Sequence, residues 1–134
     1  MVRVAVIGAG FMGGVHSKAY ATLPEAEIAV IYSPSPERGQ PLAAELGVPW
    51  SDGLAAILAD PSIPAVDICL PSLQHRPVTE AAIAAGKHVL LEKPIALDLD
   101  DAQALVTLAA DSDQIVMMAH VLRFWPEYVE LARQ

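Results

Sequence analysis

The chain has 134 residues, 54% hydrophobic and 18% charged, which excludes disorder and points to one domain with a buried interior. Its formal charge is −8, and eight Lys and Arg cannot assemble the basic face that a nucleic acid or an anionic membrane demands. The single cysteine, Cys69, excludes an intrachain disulfide framework and suits a reducing cytoplasm, and no apolar run reaches the ~18 residues of a membrane span.

Val2 to Ile7 (VRVAVI) reads as a buried strand that ends at glycine. Arg3 and the apolar residues after it have the outline of an export signal, but four glycines interrupt the run and no A-x-A cleavage site follows. Phe11 to Thr22 reads as a helix closed by Leu23-Pro24, and Glu27 to Tyr32 as a second strand. Pro36 opens the next helix, where its missing N–H costs nothing, and Gly47 ends it. Ser51 or Asp52 is placed to cap a short helix running through Ala59.

Ala65 to Leu70 (AVDICL) is a strand cut by Pro71, and His75 to Ala85 a helix with Gly86 at its C-terminus. His88 to Leu91 is a further strand. Asp98 caps a helix to about Ala110, with Asp101 three residues on, near a capping box and favourable for the helix dipole. Ile115 to Ala119 is the last strand, and Pro126 starts a helix that runs to Gln134.

Short apolar runs that alternate with helices need crossover connections, hence a mostly parallel, doubly wound α/β sheet with helices on both faces. Ligands of such sheets bind outside the carboxyl ends of the strands. The functional residues are therefore expected near Gly8, Ser33, Pro71, Glu92 and His120.

Gly8-Ala9-Gly10-Phe11-Met12-Gly13 fits G-x-G-x-x-G, directly after a strand and at the opening of a helix. Gly8 permits the turn, Gly10 lets backbone approach a pyrophosphate, and Gly13 lets helix pack closely on strand. The N–H groups of the helix start, around Phe11 and Met12, then face the phosphates. The acid that holds a ribose 2′-hydroxyl is expected about 20 residues on, at the end of the second strand. Ser33 stands there instead, within Ser33-Pro34-Ser35-Pro36-Glu37-Arg38. Ser33, Ser35 and Arg38 favour a 2′-phosphate, hence NADP(H), with NAD(H) the alternative if Glu37 reaches the ribose. Arg38 as an ordinary solvated charge is the competing reading.

The four histidines, His16, His75, His88 and His120, have no metal-ligand spacing and are read as non-metal residues. Cys69 reads as a buried strand residue whose apolar surroundings raise its pKa, not as a nucleophile. Met117 and Met118 read as core filling.

Glu92-Lys93-Pro94 breaks an apolar strand abruptly. Together with VAVIGAGFMGGVH, LPSLQH, AGKHVLLEKPIAL and the closing Arg123-Phe124-Trp125-Pro126, it resembles the Gfo/Idh/MocA family, the glucose–fructose oxidoreductase and inositol dehydrogenase group. The likeness covers almost the whole chain. It implies a Rossmann fold and hydride transfer between a nicotinamide cofactor and a sugar, polyol or related hydroxyl or carbonyl substrate. By that resemblance Lys93 lies beside the nicotinamide and the reacting carbon, hydrogen-bonds the substrate oxygen and takes part in proton transfer. Glu92 orients Lys93 or contacts the cofactor, and a cis peptide often occurs at this proline.

Leu70, Pro71 and Leu73 would border the cofactor, His75 would start a helix close to it or merely cap that helix, and His120 and Arg123 would lie on its nicotinamide side. The family carries a second, α+β substrate domain, absent here. The expected division is therefore residues 1–120 for the dinucleotide-binding domain and 121–134 for the start of the substrate domain. The same resemblance implies a cytoplasmic homo-oligomer when full length and a chain inactive alone. It also admits a non-catalytic dinucleotide-binding sensor or regulator, since the family includes a repressor.

Overall fold

The computed structural model describes all 134 residues as a six-stranded sheet, every pairing parallel, with helices in the crossovers. In chain order the elements are β1 (Val2–Ile7), α1 (Phe11–Tyr20), β2 (Ala26–Tyr32), α2 (Pro36–Leu46), β3 (Trp50–Ser51) and α3 (Leu54–Ala59). They continue with β4 (Ala65–Ile68), α4 (His75–Ala84), β5 (His88–Leu91), α5 (Leu99–Ala110), β6 (Val116–Met118) and α6 (Pro126–Leu131). The strand order is β3-β2-β1-β4-β5-β6, so the chain reverses direction across the sheet between β1 and β4. That reversal opens the crevice in which dinucleotides sit in doubly wound folds.

The apolar runs become strands because they are covered on both faces. Ala5, Val6, Ile7 and Ile68 are fully buried, and Tyr32, Val66, Val89, Leu91 and Leu105 join one core cluster with Ile7 and Ile68. A second, smaller cluster, of Val6, Ile28, Ile31 and Ala43, lies under α1 and α2. The helix signals are used as chemistry dictates. Pro36 stands at the first turn of α2, and Asp98 Oδ1 accepts the Asp101 amide at 2.9 Å to cap α5.

Several boundaries move. Ser51 does not cap a helix: it ends β3, a two-residue strand, and its hydroxyl accepts the Gly53 amide at 3.0 Å, which leaves Gly53 as the cap of α3. Trp50-Ser51 is too short for any periodicity to reveal, and its pairing with Ile31 and Tyr32 is a tertiary event. β4 stops at Ile68, so Cys69 and Leu70 belong to the loop, and a 3-10 turn, Ser72–Gln74, precedes α4. α1 ends at Tyr20, β6 covers only Val116–Met118, and α6 ends at Leu131. Val121–Phe124 forms a further 3-10 turn. No helix is long and apolar enough to cross a membrane.

Candidate functional site

The parallel ladder runs one residue past each strand, and this registers the loops against one another. Gly8 N–H donates to Tyr32 O (2.9 Å), Ser33 N–H to Ser51 O (3.1 Å), Cys69 N–H to Ile7 O (2.8 Å) and Glu92 N–H to Ile68 O (3.0 Å). Residues scattered from position 8 to position 119 thus line one edge of the sheet.

At the centre of this edge the three motif glycines have different reasons to be glycine. Gly8 has φ +121°, and a Cβ there would stand 2.7 Å from the Cys69 carbonyl oxygen. A Cβ on Gly13 would collide with the Gly8 carbonyl oxygen, so helix and turn close only without one. Gly10 meets neither constraint: its φ is ordinary and a Cβ would find no protein atom within 4 Å. The fold therefore explains Gly8 and Gly13 but not Gly10. Gly10 also caps α1 without a side-chain hydrogen bond, so the first N–H groups of the helix stay free for an anion.

Gly8, Gly10, Ser33, Ser35, Arg38, Leu70 and Pro71 come together around one cavity of about 280 Å3, which Ala9, Pro34 and Gln74 complete. No carboxylate lines it. The Ser33 side chain is buried, its hydroxyl donating to Ser35 O (3.0 Å) and accepting the Ser35 amide (3.2 Å), so it shapes the turn. The Ser35 hydroxyl is buried without a hydrogen-bond partner, and Arg38 is exposed in the first turns of α2. The open space over Gly10 and this orphaned hydroxyl fit a pyrophosphate and the ribose end of a dinucleotide. Glu37 is exposed and does not line the cavity.

A second cavity, about 410 Å3, is bounded by Lys93, His120, Arg123 and the residues between Ala119 and Leu122. Lys93 is exposed, its ammonium enters none of the ion pairs, and the Lys93-Pro94 peptide is cis. Met12 and Glu92 border a third hollow, with Val15, His16, Met117 and Phe124. Phe11 and Leu73 protrude at the rim, 85% and 79% exposed, and line none of the three. Met117 is half exposed and so fills no core.

His75 sits apart from the solvent edge, 1% exposed, with Nδ1 2.8 Å from Pro94 O and Nε2 2.9 Å from Leu70 O. Its ring ties the loop after β4 to the loop after β5, rather than capping α4 with its side chain.

Cys69 is half-buried beyond the strand, and its neighbours are not all apolar. Its thiol donates to Asp67 Oδ1 (3.4 Å) and lies 3.5 Å from His16 Nδ1. Burial, then the Asp67 charge, pushes the thiol well above its ordinary range, so it is a poor nucleophile. His16 therefore has a cysteine for company in space that the linear spacing hides. His16, Asp67 and Cys69 bring their ligating atoms within 4.8 Å of one another, yet the 2.8 Å from His16 Nδ1 to Asp67 Oδ2 is a hydrogen-bond distance. Asp67 and His16 escape a reading by motif. The available signal was a carboxylate inside the apolar run AVDICL, where an unpartnered charge is costly.

Residues 2–120 match the profile of the Gfo/Idh/MocA oxidoreductases, described as an oxidoreductase family with an NAD-binding Rossmann fold. The chain belongs to this family. It is 34% identical over 125 residues to the UDP-N-acetylglucosamine 3-dehydrogenase of Acidithiobacillus ferrooxidans, spanning 93% of this chain and 39% of that protein. To the scyllo-inositol 2-dehydrogenase (NAD(+)) of Bacillus subtilis it is 33% identical over 135 residues, spanning 99% of this chain and 40% of the relative. Among solved structures, GenD2 from gentamicin A biosynthesis, in complex with NAD, superposes with a TM-score of 0.92 at 30% identity, covering 98% of this chain and 38% of that one. The chain thus spans about 40% of the length of the curated relatives it matches. The family is described by its NAD-binding Rossmann fold, the fold this chain adopts.

Proposed function

We propose that the chain is the cofactor-binding part of an oxidoreductase that moves a hydride between a nicotinamide cofactor and a sugar, polyol or related hydroxyl or carbonyl carbon. The observation that carries this reading is Lys93: an exposed, unpaired ammonium at the carboxyl end of β5, on the same edge as the glycine turn. Gly8, Gly10 and Gly13, with the N–H groups of Phe11 and Met12, hold the pyrophosphate. Leu70, Pro71, Leu73 and Glu92 border the cofactor, with His75 fixing their loops from behind, and His120 and Arg123 close the far side. The bound nicotinamide supplies a hydride acceptor or donor.

Lys93 binds the reacting oxygen, stabilises the negative charge that grows on it and moves its proton. The relatives' names, dehydrogenases of an N-acetylglucosamine nucleotide and of an inositol, support a polyhydroxylated substrate. Arg38 at a cavity that no carboxylate lines supports NADP(H) over NAD(H). Residues 1–120 form the cofactor domain, and 121–134 begin a substrate domain through which the complete, cytoplasmic protein oligomerises.

The test is turnover of a polyol and sugar panel by the longest product of the gene. Lys93→Ala is expected to lower kcat/KM by about 10²–10⁴-fold with cofactor affinity little changed. Cofactor binding without turnover of any substrate, with the protein's biological effect surviving Lys93→Ala, would instead establish a dinucleotide-binding regulator.

A further inference from the structure

Behind Lys93 lies a polar cluster of which the chemistry proposed above uses only Glu92, at the border of the cofactor. Asp67 projects from the central strand β4 and Glu92 from the end of β5, with side chains 0% and 7% exposed. Two carboxylates this deep have almost no water to satisfy them, and an isolated buried carboxylate is far too costly to persist. His16, from the second turn of α1, stands between them: Nδ1 lies 2.8 Å from Asp67 Oδ2 and Nε2 lies 3.3 Å from Glu92 Oε1. A neutral imidazole carries one N–H and would leave one of the two carboxylates facing a lone pair. Only the imidazolium presents an N–H to each.

The other titratable groups in the cluster do not compete for that role. The Cys69 thiol donates to the second Asp67 oxygen, and Tyr20, one turn after His16, faces the same carboxylate. Burial and the Asp67 charge push both of these groups upward, so they stay neutral beside it. The hydrogen bond from Asp67 raises the imidazole above its ordinary range, burial opposes this, and the charges of Asp67 and Glu92 add to the rise.

The connection to Lys93 runs through the far side of Glu92. While Oε1 faces His16, Oε2 accepts the Lys93 backbone N–H at 2.8 Å. A row of polar contacts therefore leads from Asp67 through His16 and Glu92 to the peptide that carries Lys93. It comprises a hydrogen bond at Asp67, an ion-pair contact at Glu92 Oε1 and a hydrogen bond at the Lys93 amide.

We propose that His16 is a positioning residue, which as an imidazolium bridging Asp67 and Glu92 clamps the Glu92 carboxylate onto the Lys93 amide and so sets the direction of the Lys93 ammonium. This rests on the catalytic reading of Lys93, but the clamp itself is measurable without turnover. Losing the His16 proton releases Glu92 from one side, so the aim of Lys93 is sensitive to pH on the alkaline side.

The deciding experiment is a pH titration of the 15N-labelled chain by NMR, following the His16 ring nitrogens and the Lys93 amide together. The imidazole is expected to keep both ring protons above the ordinary histidine value of about 6.5. The Lys93 amide resonance is expected to move with the same midpoint, and Glu92→Gln to abolish that co-titration. A Lys93 amide that stays still while His16 titrates, or a His16 ring with a single proton at pH 6, would overturn the proposal. Neither result depends on a His16 variant folding.

In the longest gene product, His16→Gln is expected to lower kcat by about tenfold or more while cofactor affinity changes less than about twofold, because misaiming one group by about 1 Å can cost up to 10²-fold. A fall in thermal stability with kcat intact would reduce His16 to a structural pin. Should co-titration hold while Lys93→Ala leaves turnover unchanged, the clamp stands and the catalytic reading of Lys93 fails.

Discussion

Gly10 and Gly13 answer to different demands, and single substitutions separate them. Gly10→Ala adds a methyl into open space at an N-cap whose backbone any residue adopts, so stability is expected within about 0.5 kcal/mol of the parent. Dinucleotide affinity is expected to fall about tenfold, since the methyl takes the space through which backbone meets pyrophosphate. Gly13→Ala forces α1 off the Gly8 carbonyl and is expected to cost about 1–3 kcal/mol as well as binding. Thermal melts paired with cofactor titrations check both. Equal melting losses for the two variants would refute the distinction.

Cys69 offers a third residue-scale test. Its raised thiol is expected to alkylate more slowly at pH 8 than free cysteine, followed by mass shift with iodoacetamide. The glycine turn and the place of Lys93 just past β5 were legible in the sequence because each is a local pattern. His16 and Asp67 were not, because their meeting 51 residues apart in sequence is made by packing alone.

At the scale of elements, α1, β4 and β5 are stitched together by the His16 ring as well as by the apolar core. An imidazole whose folded-state pKa is raised contributes stability that is fully present below its unfolded value of about 6.5 and is lost as pH rises through the folded value. The melting temperature of the parent is therefore expected to decline on the alkaline side more steeply than that of His16→Gln, and parallel declines would count against the linkage. Helix boundaries were read well where a capping residue marks them: Asp98 caps α5 as its sequence suggests, and Asp98→Ala is expected to cost about 1 kcal/mol. β3 was missed because two residues carry no period, and the Ser51 hydroxyl that looked like a cap closes a turn onto Gly53 instead.

For the molecule as a whole, alternation of apolar runs and helices specified the parallel sheet, because only crossover connections can join such runs. What alternation does not encode is which surfaces stay uncovered. Val121, Leu122, Phe124, Trp125 and Leu131 are all at least 45% exposed, and Met117 and Ile115 add apolar area along the β6 edge. A patch of this kind rarely stays bare on a monomer, so the isolated chain is expected to self-associate, with a light-scattering mass that grows with concentration. A constant monomer mass would oppose this.

The central claim is that the carboxyl edge of this sheet, at the glycine turn, binds a nicotinamide dinucleotide. It is tested most directly by titrating NADPH and NADH separately into the chain and following nicotinamide fluorescence, with Gly13→Ala as the control. Saturable binding that the control loses is expected, and a 2′-phosphate held by Arg38 and Ser35 would make it tighter for NADPH. Tighter NADH would reverse the cofactor preference alone, whereas saturation by neither, or binding untouched by Gly13→Ala, would contradict the site itself.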